Sequence, residues 1–591
     1  MAFYLSPQIK VLEQDLSNTI PSIATSIGAI VLRNTYKGPE RKKVYLTNED
    51  SLITTFGWPT SAASCYRDLL SATGYFKYGN SLYATRVMPD DATFAGKIAV
   101  SSSQAVSIST GVTSWVSFAA SGAPSAYSLD DLSSWDPDSF ADDVTWSEYT
   151  GDNWPFVIIA DSRGTHGNNT KVAVCDYYTS AIVAASGGTA ISSWATSAAF
   201  ADLDSPVEDT KSFVIVVQVQ GQGASGYETV ETWNVSTDPT AVDDMGVNRF
   251  IESINNKSGF IRVALNPIYE NVALACSTSS WISFAGGLNG TASETLTSQC
   301  ISGYSLFANP EEVDVNLIID SDKALTVKNS MVDICETRMD AIAILDVPYS
   351  NVVHMRGNVE EGLRIYVKNT LNENTSYASI YGNWLEVYDK YNAKYRWIPS
   401  SGYVAGVYAN TDSVTDPWFA PAGLNRAQLN GVRRLAFNPK QAQRDLMYKA
   451  GVNPIVGFPG QGQVIWGQKT LLDKESAFNR INVRRLFIVL EKAIATAAKY
   501  FLFEPNDSTT RMLLVNMIDP FLRDVKSRRG IYRYQIVCDE TNNSNERIDR
   551  NELYCSIFIQ PTRTVETIVL TFVATKTGVS FNELAGSSLS I

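Results

Sequence analysis

Residues 313–348, "VDVNLIIDSDKALTVKNSMVDICETRMDAIAILDVP", read as a strand, a helix and a second strand. The outer segments "VDVNLIID" and "AIAILDVP" are short apolar runs, and "ALTVKNSMVDICETRMD" between them carries the helix. Residues 25–90 have the same texture. There "TSIGAIVLRNTYKGPERKKVYLTNEDSLITTFGWP" gives an apolar strand, a Gly-Pro turn and a second strand. A helix follows, with Thr47 or Asn48 as N-cap and the acidic Glu49 and Asp50 in its first turn. A further helix near "AASCYRDLLSATGYFKYG" leads to the strand "SLYATRVM". The two blocks are therefore expected to form one mixed α/β domain, interrupted by what lies between them.

The interruption, residues 91–305, is rich in Ser, Thr, Gly and Asp, with short strands such as "FVIIA", "KVAVCDYY", "SFVIVVQVQ" and "FIRVAL" set between turn signals. It reads as β-rich insertions with a break near residue 152. Beyond Trp397 come a Gly/Pro-rich stretch, helices near 440–449, 476–503 and 509–528, and the strands "IYRYQIVCD", "ELYCSIFIQP" and "TVETIVLTFVAT". No internal repeat of 20 to 50 residues is found.

At 591 residues several domains are expected, since single cores stop growing near roughly 250 to 300 residues. The chain is 45% hydrophobic but only 18% charged, a balance that suits an assembly subunit better than a freely soluble monomer. The N-terminus has no basic start followed by an apolar core, so a secretory signal is not expected. The most apolar helical stretch, residues 486–503, contains Glu491, Lys492 and Lys499 and reads as a buried helix, not a membrane span. Seven scattered cysteines, with no CxxC pair, point to reduced thiols and cytoplasmic folding. The net charge of −13 is unevenly spread: residues 91–305 carry a net of −16 and residues 426–533 a net of +11. An acidic middle is thus set beside a basic C-terminal block.

Little in the sequence suggests catalysis. The histidines, His166 and His354, stand far apart outside any ligand-like cluster, and a hydrogen-bonded or surface role fits each better than a nucleophilic triad. The acidic run at 130–143, "DDLSSWDPDSFADD", lacks calcium-loop spacing and reads as a solvated loop. "GQGASG" at 221–226 matches GxGxxG after a strand, but the β-branched and aromatic "YETVETWNVST" follows it where a pyrophosphate site needs a helix; a hairpin loop is expected. No GxxxxGK[ST] is present. Neither a cofactor nor a metal site is expected. The basic stretches "VRRLAF", "NVRRLF" and "RDVKSRRGIYRYQ" share helices with apolar stripes, which suits an acidic protein partner or a solvated face better than nucleic acid.

Several segments resemble the tail sheath proteins of contractile-tailed, T-even-like bacteriophages. These are "LSPQIKVLEQDLSNTIPSIATSIGAIV" (5–31), "TNEDSLITTFGWP", "YGNSLYATRV" and "DSRGTHGNNTKVAV" (161–174). The fullest is "DPWFAPAGLNRAQLNGVRRLAFNPKQAQRDLMYKAGVNPIVGFPGQGQVIWGQKT" (416–470), continued by "INVRRLFIVLEKAI" and "SFNELAG". The resemblance covers residues 1–90 and 310–591 and thins across the acidic middle. It implies a non-enzymatic subunit that polymerises around a tail tube and contracts to drive it through the host envelope. It also implies partners in the tube, baseplate and neck or terminator proteins, with no stable membrane insertion and no direct nucleic-acid contact. The implied location is the virion, after assembly in the host cytoplasm. A related sheath of a bacteriocin- or secretion-type injection system, a tube or capsid protein, and an extracellular β-rich enzyme are the competing readings.

The expected fold is therefore multidomain α/β and α+β, its mixed core built from both chain ends with β-rich domains inserted. The expected divisions are an extended arm at 1–22, an α/β sheath domain at 23–90 with 306–396, insertions at 91–152 and 153–305, and a C-terminal α+β domain with its own arm at 397–591. In this family, arms of neighbouring copies add strands to one sheet. The candidate arm residues here are Ile9, Val11, Leu12, Thr564, Val565, Ile568, Leu570 and Phe572. Along 559–578, "IQPTRTVETIVLTFVATKTG", the apolar positions keep no single alternation, which allows cover on more than one side. Arg523, Lys526, Arg528 and Arg529 are the candidate tube-facing basic patch.

Overall fold

The computed structural model describes residues 26–101, 110–117, 155–176, 210–243, 245–276, 278, 281–353, 355 and 357–566. The chain divides into two compact units, Met1–Phe503 and Glu504–Ile591.

In the first unit, β1 (Gly28–Arg33), β2 (Val44–Leu46) and β3 (Leu82–Val87) surround α1 (Glu49–Phe56) and α2 (Ala63–Phe76) in sequence. Asn48 caps α1: its Oδ1 accepts from Ser51 N at 2.7 Å, and the Ser51 side chain returns a contact to the Asn48 backbone. Among the described residues nine strands follow: β4 (Gly96–Ser101), β5 (Thr110–Ser117), β6 (Phe156–Ala160), β7 (Thr170–Asp176), β8 (Ser212–Val219), β9 (Glu228–Ser236), β10 (Ile261–Leu265), β11 (Leu274–Ala275) and β12 (Ile282–Ser283). The chain then returns through α3 (Ser293–Ser305), β13 (Leu317–Ile319), α4 (Leu325–Arg338), β14 (Ile342–Asp346) and β15 (Ala378–Tyr381). It continues with β16 (Trp384–Asp389), β17 (Lys394–Pro399), α5 (Ser401–Val414), β18 (Val432–Leu435), α6 (Gln441–Lys449), β19 (Val452–Asn453), β20 (Ile455–Phe458), β21 (Gly462–Ile465) and α7 (Ile481–Ala498).

The order β19-β15-β14-β13-β1-β3-β2 makes one seven-stranded sheet, parallel except for β2. Strands from both sides of the insertion thus lie side by side, β1 against β13 with Gly28 opposite Leu317. The central strands β1, β13 and β14 are largely apolar runs, as strands covered on both faces require. Ile30, Leu32, Ile319 and Ile344 face a core shared with α2 and α5, while Ala29, Val31, Ile318 and Ala343 face one shared with α3 and α4. Helices α2 and α5 pack closely enough that a Cβ on Gly402 would lie 2.1 Å from the Ser71 carbonyl oxygen. The sheet also extends past residue 396, the limit expected for it, because the two-residue β19 pairs with β15.

The described residues of the insertion build two antiparallel-rich sheets, β10-β6-β4-β5-β11 and β12-β7-β8-β9, around a core containing Phe156, Ile158, Val172, Phe213, Ile215 and Val263. Strands from both sides of residue 152, the expected break, share the first sheet: Gly96 lies opposite Ile159 and Ile98 opposite Val157. The GxGxxG segment is the turn between antiparallel β8 and β9. It reaches the α/β core: Trp58 N donates to Gln222 Oε1 at 2.6 Å, and Gly223, at φ +78, has Trp58 where a Cβ would sit, 3.0 Å away. Among the described residues, no helix is long and apolar enough to cross a membrane.

The second unit contains α8 (Ser508–Ser527), β22 (Ile531–Val537), a short helix at Asn545–Asp549 and β23 (Ser556–Pro561).

Candidate assembly surface in the C-terminal unit

Helix α8 starts where Asp507 accepts from Thr510 N at 2.7 Å, filling one of the unpaired N–H positions of its first turn. Leu514, Met517, Ile518, Leu522 and Val525 recur at helical spacing and form its buried stripe. Arg529, at φ +63, and Gly530, whose N–H donates to Val525 O at 2.8 Å, turn the chain into β22.

Strands β22 and β23 pair antiparallel, with Tyr534 opposite Ile559, Gln535 opposite Phe558 and Ile536 opposite Ile557. Alternation divides the two faces. Tyr534, Ile536, Ile557 and Ile559 are half-buried, while Arg533, Gln535, Phe558 and Gln560 are exposed. The half-buried face meets α8, and Tyr534 Oη donates to Asp519 Oδ1 at 2.7 Å. Among the described residues this sheet has two strands only, so the outer edge of each presents unpaired backbone donors and acceptors.

Thr564 and Val565 follow β23 in irregular backbone, and Val565 is 77% exposed. Ile9, Val11, Leu12, Ile568, Leu570 and Phe572 lie outside the described residues. Arg523, Lys526, Arg528 and Arg529 all sit exposed at the C-terminal end of α8. Sequence counting missed their internal partners: Arg523 pairs with Asp519 at 2.7 Å and Arg528 with Asp524 at 3.5 Å, one turn apart. Exposed pairs of this kind contribute little stability, but they halve the charge the patch presents.

The enzyme-like features of the first unit have structural settings. His166 Nε2 lies 3.2 Å from Ser162 Oγ and 3.9 Å from Asp161 Oδ1, so hydroxyl and carboxylate crowd one ring nitrogen, where a triad needs them on opposite nitrogens. Burial pushes this histidine's pKa down. His354 and the acidic run at 130–143 lie outside the described residues. No group of three or more potential metal ligands occurs among the described residues.

The switch point of the sheet, between β1 and β13, is where doubly wound folds commonly hold ligands. Here this chain's own charges fill it. Asp68, fully buried, takes Arg33 Nη2 at 2.7 Å, Lys323 Nζ at 2.9 Å and Ser321 Oγ at 2.7 Å. Burial pushes the Asp68 carboxyl up, but Arg33 and Lys323 outweigh it and hold it below the ordinary range. Asp68 and Lys323 stand 255 residues apart, and nothing in local sequence pairs them.

The α/β crevice is thus closed by this chain's own ion pairs, and among the described residues the hairpin of the second unit has both edges open. Residues 304–471 match the family model described as the phage tail sheath protein central domain, and residues 473–575 the phage tail sheath C-terminal domain. The resemblance carried by residues 416–470 is borne out: the chain contains these two tail sheath domains. The tail sheath protein of Vibrio phage KVP40 is 37% identical over 399 residues, 64% of this chain and 57% of that protein. The tail sheath protein of Enterobacteria phage T4 is 38% identical over 323 residues, 52% of this chain and 49% of its own length. The chain thus spans about half the length of the curated relatives it matches. In fold it is similar to a sheath tail protein from Listeria innocua, with a TM-score of 0.52 at 10% identity, covering 92% of this chain and 97% of that one.

Proposed function

We propose that this chain is a structural subunit of a contractile phage tail sheath, polymerising around a tail tube and shortening to drive the tube through a host envelope. The β22–β23 hairpin carries this reading. A two-stranded sheet is marginal alone, and its free edges suit strands donated by other copies through backbone hydrogen bonds. Residues 1–22 and the segment beyond Thr564 supply those strands, with Ile9, Val11, Leu12, Thr564, Val565, Ile568, Leu570 and Phe572 as the pairing positions. Backbone pairing tolerates bending of the connecting arms, so subunits reorient without separating. Contraction then needs no catalytic residue, only a few kcal/mol per subunit between two packings of one chain, summed over many copies. The tube, baseplate and neck or terminator proteins are the other partners, and the virion is the location.

The test compares the full chain with one ending at Glu566, which keeps β22, β23 and their pairing. Negative-stain microscopy of the purified full chain should show wide hollow cylinders, while the shortened chain stays folded and unpolymerised. Normal cylinders from the shortened chain would refute the role of the C-terminal arm.

A further inference from the structure

The register of the hairpin continues one step beyond its last paired residues. Val537 lies opposite Ser556, so the next positions, Cys538 and Cys555, face each other across the two strands. Their thiols are within hydrogen-bonding reach of one another. Other groups hold the strand ends in place. Asn543 Nδ2 donates to Tyr554 O at 2.9 Å, Tyr554 N donates to Asn543 Oδ1 at 2.7 Å, and Asn542 Nδ2 donates to Val537 O at 2.7 Å. The thiols are thus brought together by polar contacts that neither of them makes. Cys538 is buried and Cys555 partly exposed, so Cys555 is the more open of the two residues. The other five cysteines, Cys65, Cys175, Cys276, Cys300 and Cys335, are all buried in the first unit.

We propose that Cys538 and Cys555 form a redox site, closing to an intramolecular disulfide at the loop end of the hairpin when the chain meets a small-molecule disulfide. Directly opposed strand positions bring Cβ atoms to about 4.5 to 5.5 Å, near the separation a disulfide needs. Cys555 loses its proton and attacks one sulfur of the reagent, whose S–S bond breaks and releases one thiolate. Cys538 then loses its proton and attacks the Cys555 sulfur of the mixed disulfide, forming the new S–S bond and releasing the second thiolate. The two released thiolates take up the two protons. Both cysteine sulfurs are oxidised and one molecule of reagent disulfide is reduced to two thiols.

The environment sets the pace. Burial pushes the Cys555 thiol up to about 12, and the neighbouring Cys538 adds to the rise. Burial also raises Cys538, while Arg511 pulls it partly back, which offsets some of the cost of forming its thiolate in the closing step. Closure is therefore slow near neutral pH and accelerates with each unit toward 12, since the thiolate is the nucleophile. On the sheath reading, which this consequence alone rests on, the disulfide fixes the loop end of the hairpin while its outer edges carry load. The redox chemistry stands apart from that reading.

The test uses the full chain, reduced and then incubated with oxidised glutathione at pH 8, alkylated and mapped by mass spectrometry. The expected product is a Cys538–Cys555 cross-link within one chain, reversed by dithiothreitol and absent from C538S and C555S, with the other five thiols intact. Recovery of both cysteines as alkylated thiols, a lasting glutathione adduct on Cys555, or a link between chains would each overturn the assignment. Polymer formation plays no part in the readout, so failure of the sheath reading and failure of this one are separate results.

Discussion

Asp346, at the end of β14, is fully ordered by its neighbours yet poorly placed for a charge. Its Oδ1 accepts from Ser401 N at 2.8 Å and Ser400 Oγ at 3.2 Å, while its Oδ2 is buried without a partner. Lys328 Nζ is committed to Asp320 Oδ2 at 2.9 Å, and that same oxygen accepts from Asp346 N at 2.7 Å. Burial, and then the Asp320 charge, raise the Asp346 carboxyl to about 7. The folded chain therefore holds a proton that the unfolded chain releases near pH 4. Stability falls as pH rises from about 4 to about 7 and the cost is constant above that window. Asp346→Asn should remove this slope, about 4 kcal/mol across the window. Its melting temperature relative to the parent should rise between pH 4 and pH 8, measured by calorimetry on both proteins. A gap that does not change with pH would show that Asp346 is ionised in the folded chain throughout.

Elements of this chain were legible where burial imposes a pattern, and hidden where tertiary pairing decides. Strands β1 and β14 stood out because covered faces demand unbroken apolar runs, and β22 and β23 stood out through their aromatic and β-branched residues. The strand β19 has only two residues, too few to show a period, and its place in the main sheet comes from β15 alone. Likewise the proximity of Cys538 and Cys555 follows from the hairpin register, which cysteine spacing does not encode. Beside the apolar stripe, α8 is coupled to that hairpin through Tyr534, whose Oη donates to Asp519 Oδ1 and which also bonds the Arg523 side chain. Tyr534→Phe keeps the ring and removes the hydroxyl, costing about 1 kcal/mol because Asp519 keeps Arg523 and solvent. Hydrogen exchange should report amides of β22 and β23 opening roughly fivefold faster, with α5 unchanged. Equal protection in parent and variant would mean that the apolar contacts alone hold the hairpin on the helix.

For the whole molecule, the charge partition bears on what the basic block meets. In sequence, a net of +11 over residues 426–533 stands against −16 over residues 91–305, and with the exposed cations at the end of α8 this is the ground on which we propose that end as tube-facing. The ion pairs sharpen the proposal. Arg523 and Arg528 are partly neutralised by Asp519 and Asp524, so Lys526 and Arg529 supply most of the unspent charge. A contact built from so few exposed charges is weak and screened within about 8 Å at physiological salt, which is what the proposed sheath role would ask of a surface that releases the tube. Replacing Lys526, Arg528 and Arg529 together with Glu reverses the patch without touching the buried stripe. The variant should polymerise alone as the parent does, yet sheathe fewer purified tubes, and lose most of the parent's salt dependence. Electron microscopy of tubes mixed with each protein across a salt series supplies the count. Fully sheathed tubes from the variant at every salt concentration would place the tube-facing surface elsewhere on the chain.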